Sequence, residues 1–240
     1  MGVRPDVADR ALRLVAAFEG HGGGVAAGNF DGQTLTWGDL GYNIGQGTLV
    51  PVLRRIRDLD QTGFTSIMGP DFAQLAVTGG LLFTDYVRRI VLDERGRVRR
   101  DWQERFMALY RTDAARQALR EAAQRYLGKA EAIATTYAFH TERGYCLALD
   151  IAVQNGSVLP TAQRRFEDNV ESHSGEEWRR LRAMAYAVAD AANPRWRQDV
   201  LSRKLCVAVG RGRVHGRDYD LERDFGIRYA ETWEQEGDET

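Results

Sequence analysis

The sequence predicts a mainly α-helical (α+β) protein of two lobes, with a small β-hairpin or sheet near the N-terminus and a cleft between the lobes. Apolar residues recur at helical spacing through most of the chain after residue 48. The glycine-rich segment 21–47 instead alternates β-branched and aromatic residues around Thr34 to Trp37. A chain of 240 residues with 43% hydrophobic content can bury a substantial core. We therefore expect one domain over residues 1–230, followed by an acidic, disordered tail over 231–240.

The first helix is expected to begin after Pro5 and to end before Gly20, since Val7, Ala11, Leu14, Val15 and Phe18 share one face. A second helix starts near residue 48, where Thr48 is a candidate N-cap and Pro51 lies in the first turn. Gly128, Gly156 and Gly175 are expected to separate later helices. Further helices are predicted over 71–92 with a break near Gly79 and Gly80, and over 98–110, 113–127, 129–139, 142–154, 161–170, 176–191 and 194–209.

Composition excludes several classes of function. The net charge of −1 gives no general attraction to nucleic acid. The four histidines are dispersed, so neither a metal site nor a cofactor is predicted. Cys146 and Cys206 are interpreted as buried thiols, with a disulfide as the alternative in a protein that works outside the cytoplasm. The glycine-containing segments 45–48 and 210–216 do not match nucleotide-binding loops: the first lacks the lysine of a phosphate-binding loop, and the second has the wrong glycine spacing. Both are interpreted as turns.

No apolar segment of the chain has the length of a membrane span, and the N-terminus lacks the apolar stretch of a secretory signal. We therefore expect synthesis in the cytoplasm. Action in the periplasm or outside the cell would require release by a lysis system or a secretion machine, or a longer precursor.

Two carboxylates lie twelve positions apart, Glu19 at the end of the first helix and Asp31 in the glycine-rich segment. Glu19 follows Val15 by one turn, at the edge of the apolar stripe. Partial desolvation there favours the protonated form that a general acid needs. The structural alternative is a solvated glutamate in the last turn of a helix.

The block Asp31-Gly-Gln-Thr-Leu-Thr36-Trp-Gly, preceded by Glu19, resembles the chitosanase branch of the lysozyme-like superfamily. The later segment Ala148-Leu-Asp150-Ile-Ala-Val-Gln-Asn-Gly156 resembles the core helix of that family, and the segment 41–47 resembles peptidoglycan-active lysozyme relatives. The resemblance implies Glu19 as general acid, Asp31 as general base and Thr36 as the hydroxyl that holds the attacking water. It also implies that Asp150 belongs to a buried carboxylate and arginine network behind the site.

The predicted function is a glycoside hydrolase that cleaves β-1,4 bonds of an amino-sugar polymer, with peptidoglycan ahead of chitosan, by an inverting mechanism. The alternatives are a chitosanase, a non-catalytic glycan-binding protein, and a helical interaction protein. Besides the polysaccharide, a delivery machinery and an immunity protein are partners that this interpretation admits. His21 is a candidate to tune Glu19, and Asp39 is the reserve base. Candidates to line the cleft, each with a structural role as the alternative, are Gln33, Trp37, Tyr42, Asn43 and Gln46.

Overall fold

The computed structural model describes residues 2–20 and 24–235. Over this part of the chain it contains twelve α-helices and two short antiparallel hairpins, which confirms the predicted mainly α-helical class. None of the described helices is long and apolar enough to cross a membrane. His21 and residues 236–240 lie outside the described residues, and so do the predictions made for them.

The chain divides into two units, one of residues 1–18 and 125–240 and the other of residues 19–124. The boundaries fall at the end of α1 and inside α7. The helices are α1 (Pro5–Glu19), α2 (Leu49–Leu59), α3 (Gln61–Met68), α4 (Pro70–Thr78), α5 (Gly80–Tyr86), α6 (Arg100–Tyr110), α7 (Asp113–Thr136), α8 (Glu142–Gln154), α9 (Pro160–Glu167), α10 (Glu177–Ala191), α11 (Arg197–Val209) and α12 (Leu221–Phe225). A π-helical turn (Val87–Val91) continues α5, and a 3-10 turn (Val170–His173) follows α9.

The unit of residues 19–124 packs α2 to α6 around an aromatic core. Phe72 lies at its centre, with ring centroids 5.2 Å from both Phe83 and Trp102. The strands β1 (Thr36–Trp37) and β2 (Tyr42–Asn43) form the predicted hairpin. Trp37 joins this hairpin to the aromatic core, because its ring lies 5.8 Å from that of Phe106.

The other unit surrounds α8, in which every residue from Gly144 to Ala152 is buried. The helices α10 and α11 pack against each other and against α8. Cys146 on α8 and Cys206 on α11 are both buried and free, and burial raises the pKa of each thiol. The interpretation as buried thiols is confirmed.

Residues 210–220 correct one prediction, since they form a second hairpin and are not only turns. Strands β3 (Arg211–Val214) and β4 (Arg217–Asp220) pair directly after α11. His215 and Gly216, at φ 50° and 81°, make the tight turn between them. Positive φ at both central residues is the geometry that matches the twist of a two-residue hairpin.

Two further boundaries differ from the predictions. The helix α7 continues through Gly128, because a single glycine in a helix costs only about 1 kcal/mol. The predicted tail also begins too early at residue 231. The Trp233 indole is buried and donates a hydrogen bond to the carbonyl of Phe139 at 2.6 Å, and Gln235 donates its backbone N–H to the carbonyl of Gly2.

A buried cluster of charges lies inside the unit of α8. The Asp150 carboxylate, on α8, accepts hydrogen bonds from the Arg203 guanidinium at 2.5 Å and from the Lys204 ammonium at 2.7 Å. All three side chains are within 3% of full burial. Burial acts to raise the pKa of Asp150, but the two cations outweigh it and the net shift is downward. Arg203 also lies 5.5 Å from the ring centroid of Phe18 and so supports the last turn of α1.

Asp150→Asn is expected to lower the free energy of unfolding by about 3–5 kcal/mol, because it leaves two buried cations without their anion. Chemical denaturation followed by circular dichroism measures the change. The matched control is Glu176→Gln, which removes an exposed ion pair with Arg179 and should change stability by less than about 1 kcal/mol. Equal stabilities of the two variants would contradict the structural role of the cluster.

Candidate active site

Glu19 is the last residue of α1, and its side chain is half-buried. The stripe before it, including Leu14, Val15 and Phe18, is completely buried, so the direction of the helix end is fixed by packing. Gly20 follows at φ 71°, the left-handed conformation that commonly ends a helix. The predicted position of Glu19 at a helix terminus is therefore found.

The segment that carries Asp31 is fixed at several points to the rest of its unit. The Trp37 indole donates to the carbonyl of Gly24 at 3.0 Å. The amide of Gln103, on α6, bonds both the N–H and the carbonyl of Ala26. Asn29 donates its backbone N–H to the carbonyl of Gly96 at 2.8 Å. These hydrogen bonds restrict the backbone conformation of residues 24–29, so the turn that follows, with Asp31, has a defined position in its unit.

Asp31 lies in a turn at the tip of this segment and is exposed. Its Oδ1 accepts a hydrogen bond from the backbone N–H of Gln33 at 3.0 Å. Thr34 adopts a positive φ of 69° and donates its backbone N–H to Oδ1 of Asn29 at 2.8 Å. Side chains of Asp and Asn stabilise turns by bonding the backbone in this way. The turn leaves the other carboxylate oxygen of Asp31 available to solvent or to a ligand.

Thr36 occupies the centre of a small ladder. Its backbone exchanges two hydrogen bonds with Ala27, at 2.8 and 2.9 Å, and it pairs with Asn43 on the other side. The side chain is only 6% exposed, and its hydroxyl has no hydrogen-bond partner among the described residues. A buried polar group without a partner is costly and calls for an explanation such as a bound water or a catalytic role.

Four of the five residues predicted to line a cleft fall into two groups by their burial. Gln33 is half-buried and Gln46 is exposed, so both amides can reach a ligand. Trp37 and Tyr42, in contrast, are at most 1% exposed and offer no ring face to a sugar. Their burial corrects the interpretation of these two rings as cleft residues. Large aromatic rings gain more free energy from burial in the core than from exposure at the surface.

Asn43 is also part of the internal structure of its turn. Its Oδ1 accepts from the backbone N–H of Gln46 at 2.8 Å, and its amide nitrogen donates to Oε1 of the same residue at 3.1 Å. Thr48 stands at the predicted N-cap of α2, but its hydroxyl accepts from the backbone N–H of Asn43 at 2.8 Å and makes no cap bond. The amide of Asn43 is thus occupied and buried, and we interpret it as structural.

Asp39, the reserve base, lies in the turn between β1 and β2. It accepts a 2.6 Å hydrogen bond from the Tyr110 hydroxyl, at the end of α6. Burial raises the pKa of Asp39, and this hydrogen bond opposes the rise. The contact ties the hairpin to α6, so Asp31 is the more accessible of the two carboxylates.

Phe30 is a candidate that the sequence prediction missed. Its side chain is 73% exposed and directly precedes Asp31. An exposed aromatic ring beside a carboxylate is the arrangement that stacks on a sugar ring. The signal was present in the sequence, since Phe30 is the one aromatic residue of segment 21–34 and belongs to no periodic pattern.

No group of three or more His, Cys, Asp or Glu side chains within the described residues could hold a metal ion. Asp150 lies in the buried charge cluster, with Arg203 and Lys204 as its partners. The resemblance implied a network of a carboxylate and an arginine at this position, and the structure contains one.

No family model matches the chain, and no curated protein matches it. Four chains of solved structures match. Among them is a structure described as "Chitosanase complex structure", with a TM-score of 0.59 and 16% sequence identity, covering 88% of this chain and 95% of that chain. At this level of identity the likeness shows the fold alone. The chain therefore shares its fold with that chitosanase.

Proposed function

We propose that the protein is a glycoside hydrolase that cleaves β-1,4 bonds of an amino-sugar polymer, with peptidoglycan as its substrate. The observation that carries this proposal is the pair of Asp31 and Thr36. An accessible carboxylate stands five positions before a buried hydroxyl without a partner, on a fold that a chitosanase shares. In this proposal the Thr36 hydroxyl holds one water molecule, which would supply the hydrogen-bond partner that it lacks.

In the proposed reaction, protonated Glu19 donates its proton to the glycosidic oxygen as the bond breaks. Ionised Asp31 removes a proton from the water that Thr36 positions, and that water attacks the opposite face of the sugar ring. Gln33 and Gln46 supply amide groups for hydroxyl or N-acetyl groups, and Phe30 supplies a ring face. Because the water attacks from the opposite face, the anomeric configuration of the product is inverted.

The charge of the acid-bearing segment supports peptidoglycan over chitosan. Chitosan is a polycation at mildly acidic pH, and a groove that binds it would be expected to contain many acids. Residues 20–50 contain only two acids, Asp31 and Asp39, and the second is tied to Tyr110. The chitosanase-like fold keeps chitosan as the second candidate. For a peptidoglycan substrate we also propose delivery to the cell wall by a lysis or secretion system.

Glu19→Gln is expected to lower the release of muropeptides from purified Gram-negative sacculi by at least ~100-fold, because glutamine cannot donate the proton. Mass spectrometry of the products measures the rate and identifies the bond, and highly deacetylated chitosan is digested in parallel. The control is Glu104→Gln, an exposed acid on α6 that pairs with Arg100.

Near wild-type activity of Glu19→Gln would remove Glu19 from the mechanism. Rapid cleavage of chitosan by the wild type, without muropeptide release from sacculi, would make the chitosanase alternative the answer. Retained binding to sacculi without any cleavage would favour the glycan-binding protein.

Asp31→Asn is expected to reduce activity severely and to leave folding intact, because asparagine keeps the oxygen that accepts from the N–H of Gln33. Proton NMR of the wild-type reaction should show the inverted anomer as the first product. A retained anomer, or 1,6-anhydro ends in the product, would overturn the role of Asp31 as a base.

Thr36→Val tests the buried hydroxyl without changing the volume of the side chain. Since an unsatisfied buried hydroxyl costs about 1–3 kcal/mol, the variant should be at least as stable as the wild type. Its activity should nevertheless fall, although less than in Asp31→Asn, because the attacking water loses a ligand. Thermal denaturation and the sacculus assay are run on the same preparation, and unchanged activity would show that Thr36 has no part in the reaction.

A further inference from the structure

A second possible ligand site lies in the unit of α8, entirely within residues 125–240. It is a pocket of ≈ 470 Å³ on the surface of α10 and α11. None of the residues that form it belongs to the candidate active site. Its walls include Arg143, Trp178, Arg182, Tyr186, Val209 and Tyr229.

The apolar part of the pocket is unusually accessible for such residues. The side chains of Tyr186 and Val209 are 38% and 47% exposed. Trp178 is half-buried, and its backbone N–H donates to the Tyr229 hydroxyl at 3.0 Å, which fixes the last of the aromatic walls to the start of α10. An apolar pocket with fixed rings and a few polar groups is the common form of a small-ligand site.

An arginine guanidinium group lies over each of two aromatic rings in the pocket. Arg182 lies 5.5 Å from the ring centroid of Trp178, and Arg143 lies 5.4 Å from that of Tyr229. Stacked guanidinium groups keep their edge N–H donors free to bind a carboxylate. The walls therefore combine ring faces with cationic donors.

Neither of these two arginines has a carboxylate partner among the described residues. Arg143 donates to the carbonyl of Val209 at 3.2 Å, while its buried Nε has no partner within the described part of the chain. Burial lowers the pKa of Arg143, and Glu222 and Asp220 oppose this only at longer range. A half-buried cation without an anion is unfavourable, and a bound carboxylate would relieve it.

The neighbouring depression shows the contrast. It is lined by Arg165, Asp168 and Asp190, and there Arg165 pairs with Asp190 at 3.6 Å. In that depression the charge of Arg165 is balanced by an acidic residue of the same wall. The walls of the pocket on α10 and α11 contain no acidic residue among those described.

The side chain of Arg143 occupies space that a glycine in the backbone leaves open. Gly210 ends α11 at φ 85°, and a Cβ placed there would lie 2.3 Å from Cζ of Arg143. Only glycine both adopts this conformation easily and leaves room for the guanidinium. The chain thus keeps a cation at this site by two independent features, the glycine and the Val209 carbonyl.

We infer that this pocket is a binding site for a carboxylate attached to a ring or apolar body, and that its ligand is the acidic peptide stem of a peptidoglycan strand. The inference rests on the proposed function for its choice of ligand. A polycation such as chitosan has no complementary group to offer two unpaired arginines, whereas the stem carries carboxylates next to an amino sugar. The site would contribute to affinity and not to chemistry.

The test is binding of a purified disaccharide tetrapeptide to the full chain with Glu19→Gln, measured by isothermal titration calorimetry. Arg182→Gln in the same background should weaken binding about tenfold or more, the loss expected for one charge-assisted hydrogen bond. The matched control is Arg179→Gln. Arg179 lies 5.1 Å from the same Trp178 ring, but it pairs with Glu176 and is not part of the pocket wall.

A muropeptide whose carboxylates have been amidated should bind the protein with Arg182 as weakly as the native muropeptide binds the Arg182→Gln variant. A chitosan oligomer should not bind at this site. Equal binding of the amidated and native muropeptides, or an Arg182→Gln affinity equal to that of Arg179→Gln, would overturn the inference. The proposed function fails separately, if the wild type releases no muropeptides from sacculi. Arg182-dependent binding without such release would support the pocket and contradict peptidoglycan cleavage as the proposed function.

Discussion

Asp150 carries a negative charge in the middle of a helix whose residues from Gly144 to Ala152 are all buried, and its unit is organised around that charge. A lone carboxylate in such a place would be protonated or would unfold the helix. Arg203 and Lys204 neutralise it from α11, and this requires α8 and α11 to pack in one register. The cluster therefore specifies an arrangement of helices, which hydrophobic contacts alone specify less strictly.

The same cluster connects to the candidate chemistry through α1. Arg203 stacks on Phe18, and Phe18 is the residue before Glu19. A glutamate at the end of a helix is often free to move, since helix ends fray. Here the last turn of α1 rests on a cation that is itself fixed by Asp150. In the proposed enzyme this positioning would keep the acid in place for proton transfer.

In the unit of residues 19–124, buried residues anchor the loop and an exposed residue is available to a ligand. Trp37 is completely buried and holds Gly24 through its indole, so the loop that carries Asp31 is anchored by a side chain that no ligand can touch. Asp31 itself is exposed, and Thr36 is buried with an unused hydroxyl.

Local patterns predicted the helices well, because helical periodicity depends on nearby residues. They failed where long-range contacts decide. Trp233 sits in an acidic stretch, and only its contact with Phe139 shows that it belongs to the core. Trp37 looked like a sugar platform because composition cannot tell a surface ring from a buried one. The pocket at Arg182 was also beyond sequence reasoning, since the pairing of an arginine depends on acids that are distant in the chain. Neighbouring arginines such as Arg165 and Arg179 have acidic partners. Arg182 has no carboxylate partner among the described residues and lies beside the half-buried ring of Trp178, so its position supports the proposed ligand and does not contribute to stability through an ion pair.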